Sequence, residues 1–150
     1  MYLRRLLPVV TLLAAAALPL PAPAAISAAG GGFVQNQPSG SGAAAIVSSG
    51  ASVPVVPLEF QGSVLVPLTG LGGYAATAEI RGFTGGGYGG AYVGVGAGVG
   101  TLSSDRSSGA VFTFLAGKSI APLTSVEIRL YKQTNGTGDT SGFIGLRFSL

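Results

Sequence analysis

Hydrophobic and polar positions alternate along most of this chain. Side chains on a strand point to opposite faces in turn, so a period of two marks a strand with two unlike faces. Leu58, Phe60, Gly62, Val64 and Val66 share one parity, and Glu59, Gln61, Ser63 and Leu65 the other. Tyr74, Ala76, Ala78 and Ile80 alternate with Ala75, Thr77, Glu79, Arg81 and Phe83. Val93, Val95, Ala97 and Val99 alternate with Tyr92 and four glycines, Gly94, Gly96, Gly98 and Gly100. Val126, Ile128 and Leu130 alternate with Glu127, Arg129 and Tyr131. The chain ends the same way, with Ile144, Leu146, Phe148 and Leu150 set against Phe143, Gly145, Arg147 and Ser149. Nothing after the N-terminal apolar run has helical periodicity, and glycines and β-branched residues interrupt each candidate helix.

The alternation predicts eight strands, over 26–35, 43–53, 58–66, 73–83, 91–102, 110–118, 124–133 and 141–150. These lengths suit a tilted membrane strand of ~9–11 residues, and an even strand number is the bacterial pattern. The connectors differ by turns. Those at 36–42, 67–72, 103–109 and 134–140 hold Asp105, Asp139, Asn135-Gly136 and most of the serines that fall in connectors. Those at 54–57 and 119–123 are short and carry Pro, and 84–90 is rich in Gly. Asn135-Gly136-Thr137 fits a glycosylation sequon and, equally, a hairpin turn.

All three Glu residues and three of the Arg residues fall on the less hydrophobic parity. On a soluble sandwich that face would meet water, and the chain would need more charge to stay dissolved. Charged residues make up only 9% of it, against roughly 25% in ordinary soluble domains. In a membrane barrel the apolar face meets lipid and the charges line the interior. Lys132 breaks the pattern: its parity is outward, at a strand end where its stem can snorkel to the headgroups.

Hairpin register follows from loop centres. A third loop centred on Gly70 sets Glu59 opposite Arg81 and Phe60 opposite Ile80. A last loop centred on Thr137 sets Glu127 opposite Arg147, Val126 opposite Phe148 and Ile128 opposite Leu146. Glu79 and Arg129 remain, and strands four and seven could bring them together across a narrow interior. The expected interior network is thus Glu59, Glu79, Arg81, Glu127, Arg129 and Arg147. The glycines of strand five either make space for these long side chains or allow strand curvature and close backbone packing.

The N-terminus has the layout of a secretory leader. Arg4 and Arg5 precede an apolar run from 6 to 20, and Ala22-Pro23-Ala24 offers a small-residue cleavage site. The expected division is a cleaved leader over 1–24 and a barrel over 25–150. Without Arg4 and Arg5 the formal charge falls from +3 to +1, so nothing points to nucleic acid. The chain has no Cys and no His, which removes disulfides, thiolate metal sites, the commonest general base and the commonest metal ligand. No catalytic, cofactor or metal site is expected.

The leader, the eight segments and the closing strand together resemble the small eight-stranded bacterial outer-membrane β-barrels of the OmpA/OmpX type. Such barrels usually finish on an aromatic residue; here Phe148 stands two places before Leu150. The resemblance implies an all-β, antiparallel, up-and-down transmembrane barrel in the outer membrane of a two-membrane bacterium. It implies a monomer that meets outer-membrane lipids, with Ile144, Leu146, Phe148 and Leu150 on the lipid face, and the barrel-assembly machinery during biogenesis. It also implies a structural or cell-surface interaction role. Enzymes among small barrels use His, which argues against catalysis here. The alternatives are a narrow passive channel and a soluble secreted barrel that binds a small apolar ligand.

Overall fold

The structure, a computed structural model, describes residues 25–36, 39–53, 56–69, 73–84, 90–102, 107–134 and 139–150. The expected leader and the Asn135-Gly136 pair lie outside the described residues. Eight strands follow in order: β1 (Ala25–Asn36), β2 (Ser39–Ser52), β3 (Leu58–Pro67), β4 (Ala75–Phe83), β5 (Ala91–Gly100), β6 (Gly109–Ala121), β7 (Thr124–Gln133) and β8 (Thr140–Ser149). Each is antiparallel to the next, and β8 returns to β1 to close the sheet. The protein is an all-β, eight-stranded, up-and-down antiparallel barrel. Beyond the last strand, the Leu150 N–H donates to the Ile26 carbonyl at 2.8 Å.

All eight segments expected from the alternation are strands, and the differences lie at their ends. The first connector shrinks from 36–42 to Gln37-Pro38, because Gln35 pairs with Gly40 and Asn36 with Ser39. The run Ser39-Gly40-Ser41-Gly42 carries turn-like residues, yet small side chains also sit without conflict in a ladder. At the other end β6 continues to Ala121 through a register shift after Ser119, leaving Pro122-Leu123 as the turn. Leu123 takes φ of 59°, the left-handed region that a branched residue seldom occupies.

Register decides which side chains share the interior. Glu59 lies opposite Arg81 and Phe60 opposite Ile80, the register expected for the third hairpin. The closing hairpin differs by two residues. Glu127 lies opposite Gly145, Ser125 opposite Arg147, Val126 opposite Leu146 and Ile128 opposite Ile144. The expected Glu127–Arg147 pair is therefore diagonal rather than direct. Parity survives a shift of two, so every side chain keeps its face. Space favours the observed register: Glu127 has Gly117 beside it on β6 and Gly145 on β8, and no side chain from either crowds it.

The outer wall is apolar on every strand. Ile26, Val47, Phe60, Ile80, Val95, Phe114, Ile128 and Ile144 all point outward, and most are about half exposed. Ile144, Leu146, Phe148 and Leu150 belong to this wall. The outward charges among the described residues are Lys118 and Lys132. Lys118 stands toward the turn end of β6, and Lys132 toward the loop end of β7.

Candidate functional site

The interior has two unlike halves. Toward the short turns it is charged. Glu59, Glu79, Arg81, Glu127, Arg129 and Arg147 all point inward and are buried, three acids against three bases. Strand period places them. Each sits on the parity opposite an outward apolar residue, and Glu59, Arg81 and Arg147 lie near the turn ends of their strands.

Glu127 is the hub. Arg129 Nε lies 2.6 Å from its Oε1, and Arg147 Nη1 lies 3.1 Å from its Oε2. Arg81 Nη1 approaches the same Oε2 at 3.9 Å, and the Tyr92 hydroxyl donates to it at 2.7 Å. Arg81 is paired more closely with Glu59, at 2.5 Å, while Arg129 reaches across to Glu79, at 2.6 Å. Six charges thus form one linked network rather than separate pairs.

Neutral side chains complete it. Glu79 accepts from Thr77 at 2.7 Å, from Ser63 at 2.9 Å and from the Gln61 amide. The Gln61 carbonyl accepts from Arg147 at 3.0 Å, and Ser63 is bonded to Ser48 at 2.9 Å. The Arg81 guanidinium also lies over the Tyr92 ring at 4.9 Å, a cation–π contact. Burial of charge is costly unless each charge is paired and hydrogen-bonded, and this density of partners is what makes six buried charges tolerable.

Glycines supply the room. A methyl at Gly96 would meet Glu79 Cγ at 2.5 Å, and one at Gly94 would meet Arg81 Cγ at 3.0 Å. Farther along β5, a methyl at Gly98 would strike the Ala76 carbonyl at 1.8 Å, and one at Gly100 the Tyr74 carbonyl at 2.4 Å. Both readings of this glycine face hold. Backbone carbonyls approach all four glycines, the Ile80 and Ala78 carbonyls lying 2.6 Å from methyls at Gly94 and Gly96, and toward the turn end charged side chains use the space as well. Gly117 does the same for Tyr92, whose ring lies where a methyl would go, 2.3 Å from Cζ.

Toward the loops the interior is apolar. Phe33, Ala44, Ile46, Leu65, Ala75, Val111, Tyr131 and Phe143 pack into one buried cluster with Leu102. Leu102 lies beyond β5, yet it is fully buried. Two glutamines fix its backbone: its N–H donates to Gln133 Oε1 at 2.6 Å, and its carbonyl accepts from the Gln35 amide. The Gln133 amide also donates to the Ser107 carbonyl at 2.9 Å, so β1 and β7 together hold the β5–β6 connector against the barrel mouth. Between the halves the buried hydroxyls of Thr113, Tyr131 and Ser141 stand side by side on β6, β7 and β8.

Sequence reasoning places the six charges inside but misses their helpers. Tyr92 shares parity with the strand-five glycines, and Gln61 and Ser63 share it with Glu59; parity with a charged residue is the signal that finds them. Parity also puts Leu65, Ala75, Tyr131 and Phe143 on the inner face, but alternation alone does not show that they gather into an apolar half. Among the described residues no group of acidic side chains could hold a metal ion.

What this arrangement defines is a closed barrel with an apolar exterior and, inside it, a charge network of three acids balanced by three bases. Among solved structures, the crystal structure of Neisserial surface protein A (NspA) has a similar fold, with a TM-score of 0.67 over 85% of this chain and 97% of that one, at 14% identity. No protein-family model matches the chain, and no match was found among curated protein sequences.

Proposed function

We propose that the protein is an integral outer-membrane barrel with a structural or cell-surface interaction role and no catalysis. One observation carries this reading: the outer wall is apolar on all eight strands, while the three buried Glu and three buried Arg residues pair inside. A soluble monomer rarely exposes a continuous apolar surface of this extent. In lipid the same wall is in its proper solvent, and closure leaves no sheet edge without hydrogen bonds. The fold shared with a Neisserial surface protein supports placement at a cell surface. The reading makes bilayer lipid the chain's main partner, with assembly machinery needed for insertion and a monomer as the working unit. It leaves no open path for a channel, since ion network and apolar cluster both occupy the interior.

The test is fractionation of a two-membrane bacterium producing the full chain, followed by gel electrophoresis with and without boiling. The expected result is recovery with the outer membrane, extraction only by detergent, and a band that shifts on heating. A folded monomer in detergent-free periplasm would overturn the reading in favour of a soluble secreted barrel.

A further inference from the structure

We infer that the outer wall carries a binding site for one phosphate-bearing lipid, with an acyl chain in a groove over β1, β8 and β7 and the phosphate on Lys132. The inference rests on the membrane reading above. The groove has a volume of about 420 Å³. Its floor is Gly32 and Gly142, and its walls are Val34, Ile128, Leu130 and Ile144. It exists because two neighbouring strands both place glycine on the outward face here. Leu130 lies opposite Gly142, and Ile144 lies opposite Gly32, so each large side chain overhangs a gap. The space is real at Gly32, where an added methyl meets nothing within 4 Å.

Chemistry at the rim selects the occupant. Lys132 stands two residues beyond Leu130 on the same outward face of β7, opposite Thr140. It is exposed, and no salt bridge engages it among the described residues. The backbone N–H of Thr140 donates to Asn36 Oδ1 at 3.0 Å, so β1 and β8 also end in polar groups beside the groove. An apolar slot that ends at a cation and a polar rim matches an amphiphile with an anionic head. A second outer groove lies over Ala78 and Ala97 between Phe60 and Phe112, with a volume of about 470 Å³. Lys132 lies opposite its wall residue Phe112, so one cation borders both grooves, and filling either slot tells them apart.

Native mass spectrometry of the full chain, folded in detergent and titrated with phosphatidylglycerol or phosphatidylcholine of identical chains, separates these cases. The parent protein should keep one phosphatidylglycerol in about five-fold preference, as one lysine at a membrane surface supplies. Lys132→Gln should remove the preference, and Lys118→Gln, at the other end of the wall, should leave it. Gly32→Leu fills the slot and should lower retention of the lipid. Gly62→Leu, where a methyl also meets nothing within 4 Å, sits beside Ala78 and should leave the preference intact. Equal retention of both lipids by the parent would overturn the site, as would loss of preference in Lys118→Gln instead of Lys132→Gln. A mass of two chains in place of chain plus lipid would assign the groove to a second copy and also overturn it. A heat-shifted gel band checks each variant for folding. If the parent lacks that band, the membrane reading fails; if the band is present without lipid preference, only the groove assignment fails.

Discussion

The two halves of the interior fill one space by different means. The turn-side half uses directed contacts, in which Glu127 reaches three guanidinium groups and a tyrosine hydroxyl. The loop-side half relies chiefly on shape, with Phe33, Ile46, Leu65, Val111 and Phe143 in one cluster, and keeps its directed contacts for the mouth, where Gln35 and Gln133 hold Leu102. In water the second half would be the driving force of folding. On the membrane reading it is not, because lipid tails are as apolar as the cluster and its gain is chiefly close packing. Only the charged half distinguishes inside from outside. A slip of one residue would turn acids and bases toward lipid, whereas the same slip among apolar side chains would cost far less. The charged half thus fixes facing, and the apolar half fills and closes the mouth.

Substitutions can break this contrast, beginning with the hub. Glu127→Ala takes from Arg147 the acid it pairs with and leaves Arg129 and Arg81 with one acid each, and breaking a buried pair on one side costs ~3–5 kcal/mol. Denaturant unfolding in detergent should show this as the greatest loss among single interior changes. A variant as resistant as the parent would mean that water enters and screens the network. On the apolar side, Phe143→Ala should cost about 3 kcal/mol, the low end for an aromatic truncated in a core. Its heat-shifted band should persist, since facing is untouched.

The coupling of Glu127 and Arg147 comes next. Because neither charge is left facing a missing partner, the double alanine variant should cost less than the two single costs together, by ~0.5–3 kcal/mol. The reversed pair, Glu127→Arg with Arg147→Glu, should not restore stability, because position 127 also faces Arg129 and Arg81. Full recovery would show an isolated pair and refute the hub. Ile46→Val should cost only ~0.5–1.5 kcal/mol. The smallest signal is current: the purified parent in planar bilayers should show no large, stable single-channel steps, and such steps would promote the channel reading.

Much of this was legible before the structure, for reasons that differ by element. A period of two survives any uncertainty in turns, so all eight strands and the facing of Glu59, Glu79 and Arg129 follow from parity. The third hairpin was readable because direct pairing of Glu59 with Arg81 and centring on Gly70 agree. The closing hairpin was not: centring on Thr137 and direct charge pairing agree there too, yet the register lies two residues away. Glu127 takes its partners diagonally, along its own strand and across the barrel, and sits between glycines that no pairing rule favours. Leu102 shares the inward parity of Tyr92 and the strand-five glycines; what the pattern does not reveal is that Gln35 and Gln133, from two distant strands, grip its backbone beyond the end of β5.

The joint between β1 and β8 carries a consequence for how the molecule comes into being. Seven of the eight strand pairings join neighbours in the chain and can form as local hairpins. The eighth joins strands separated by the whole barrel, through pairs running from Ser27–Ser149 to Gln35–Ser141. Long-range pairing of this kind is slow, since the chain must be ordered before the contact rewards it. The joint also has little side-chain grip at its middle, where Gly30, Gly31 and Gly32 face Leu146, Gly145 and Ile144, so the backbone ladder does most of the holding. Until it forms, two edges of unpaired N–H and C=O groups face the surroundings, a state that hydrocarbon does not tolerate. On the membrane reading, insertion and closure are therefore one event in time, and its clock starts only when β8 arrives.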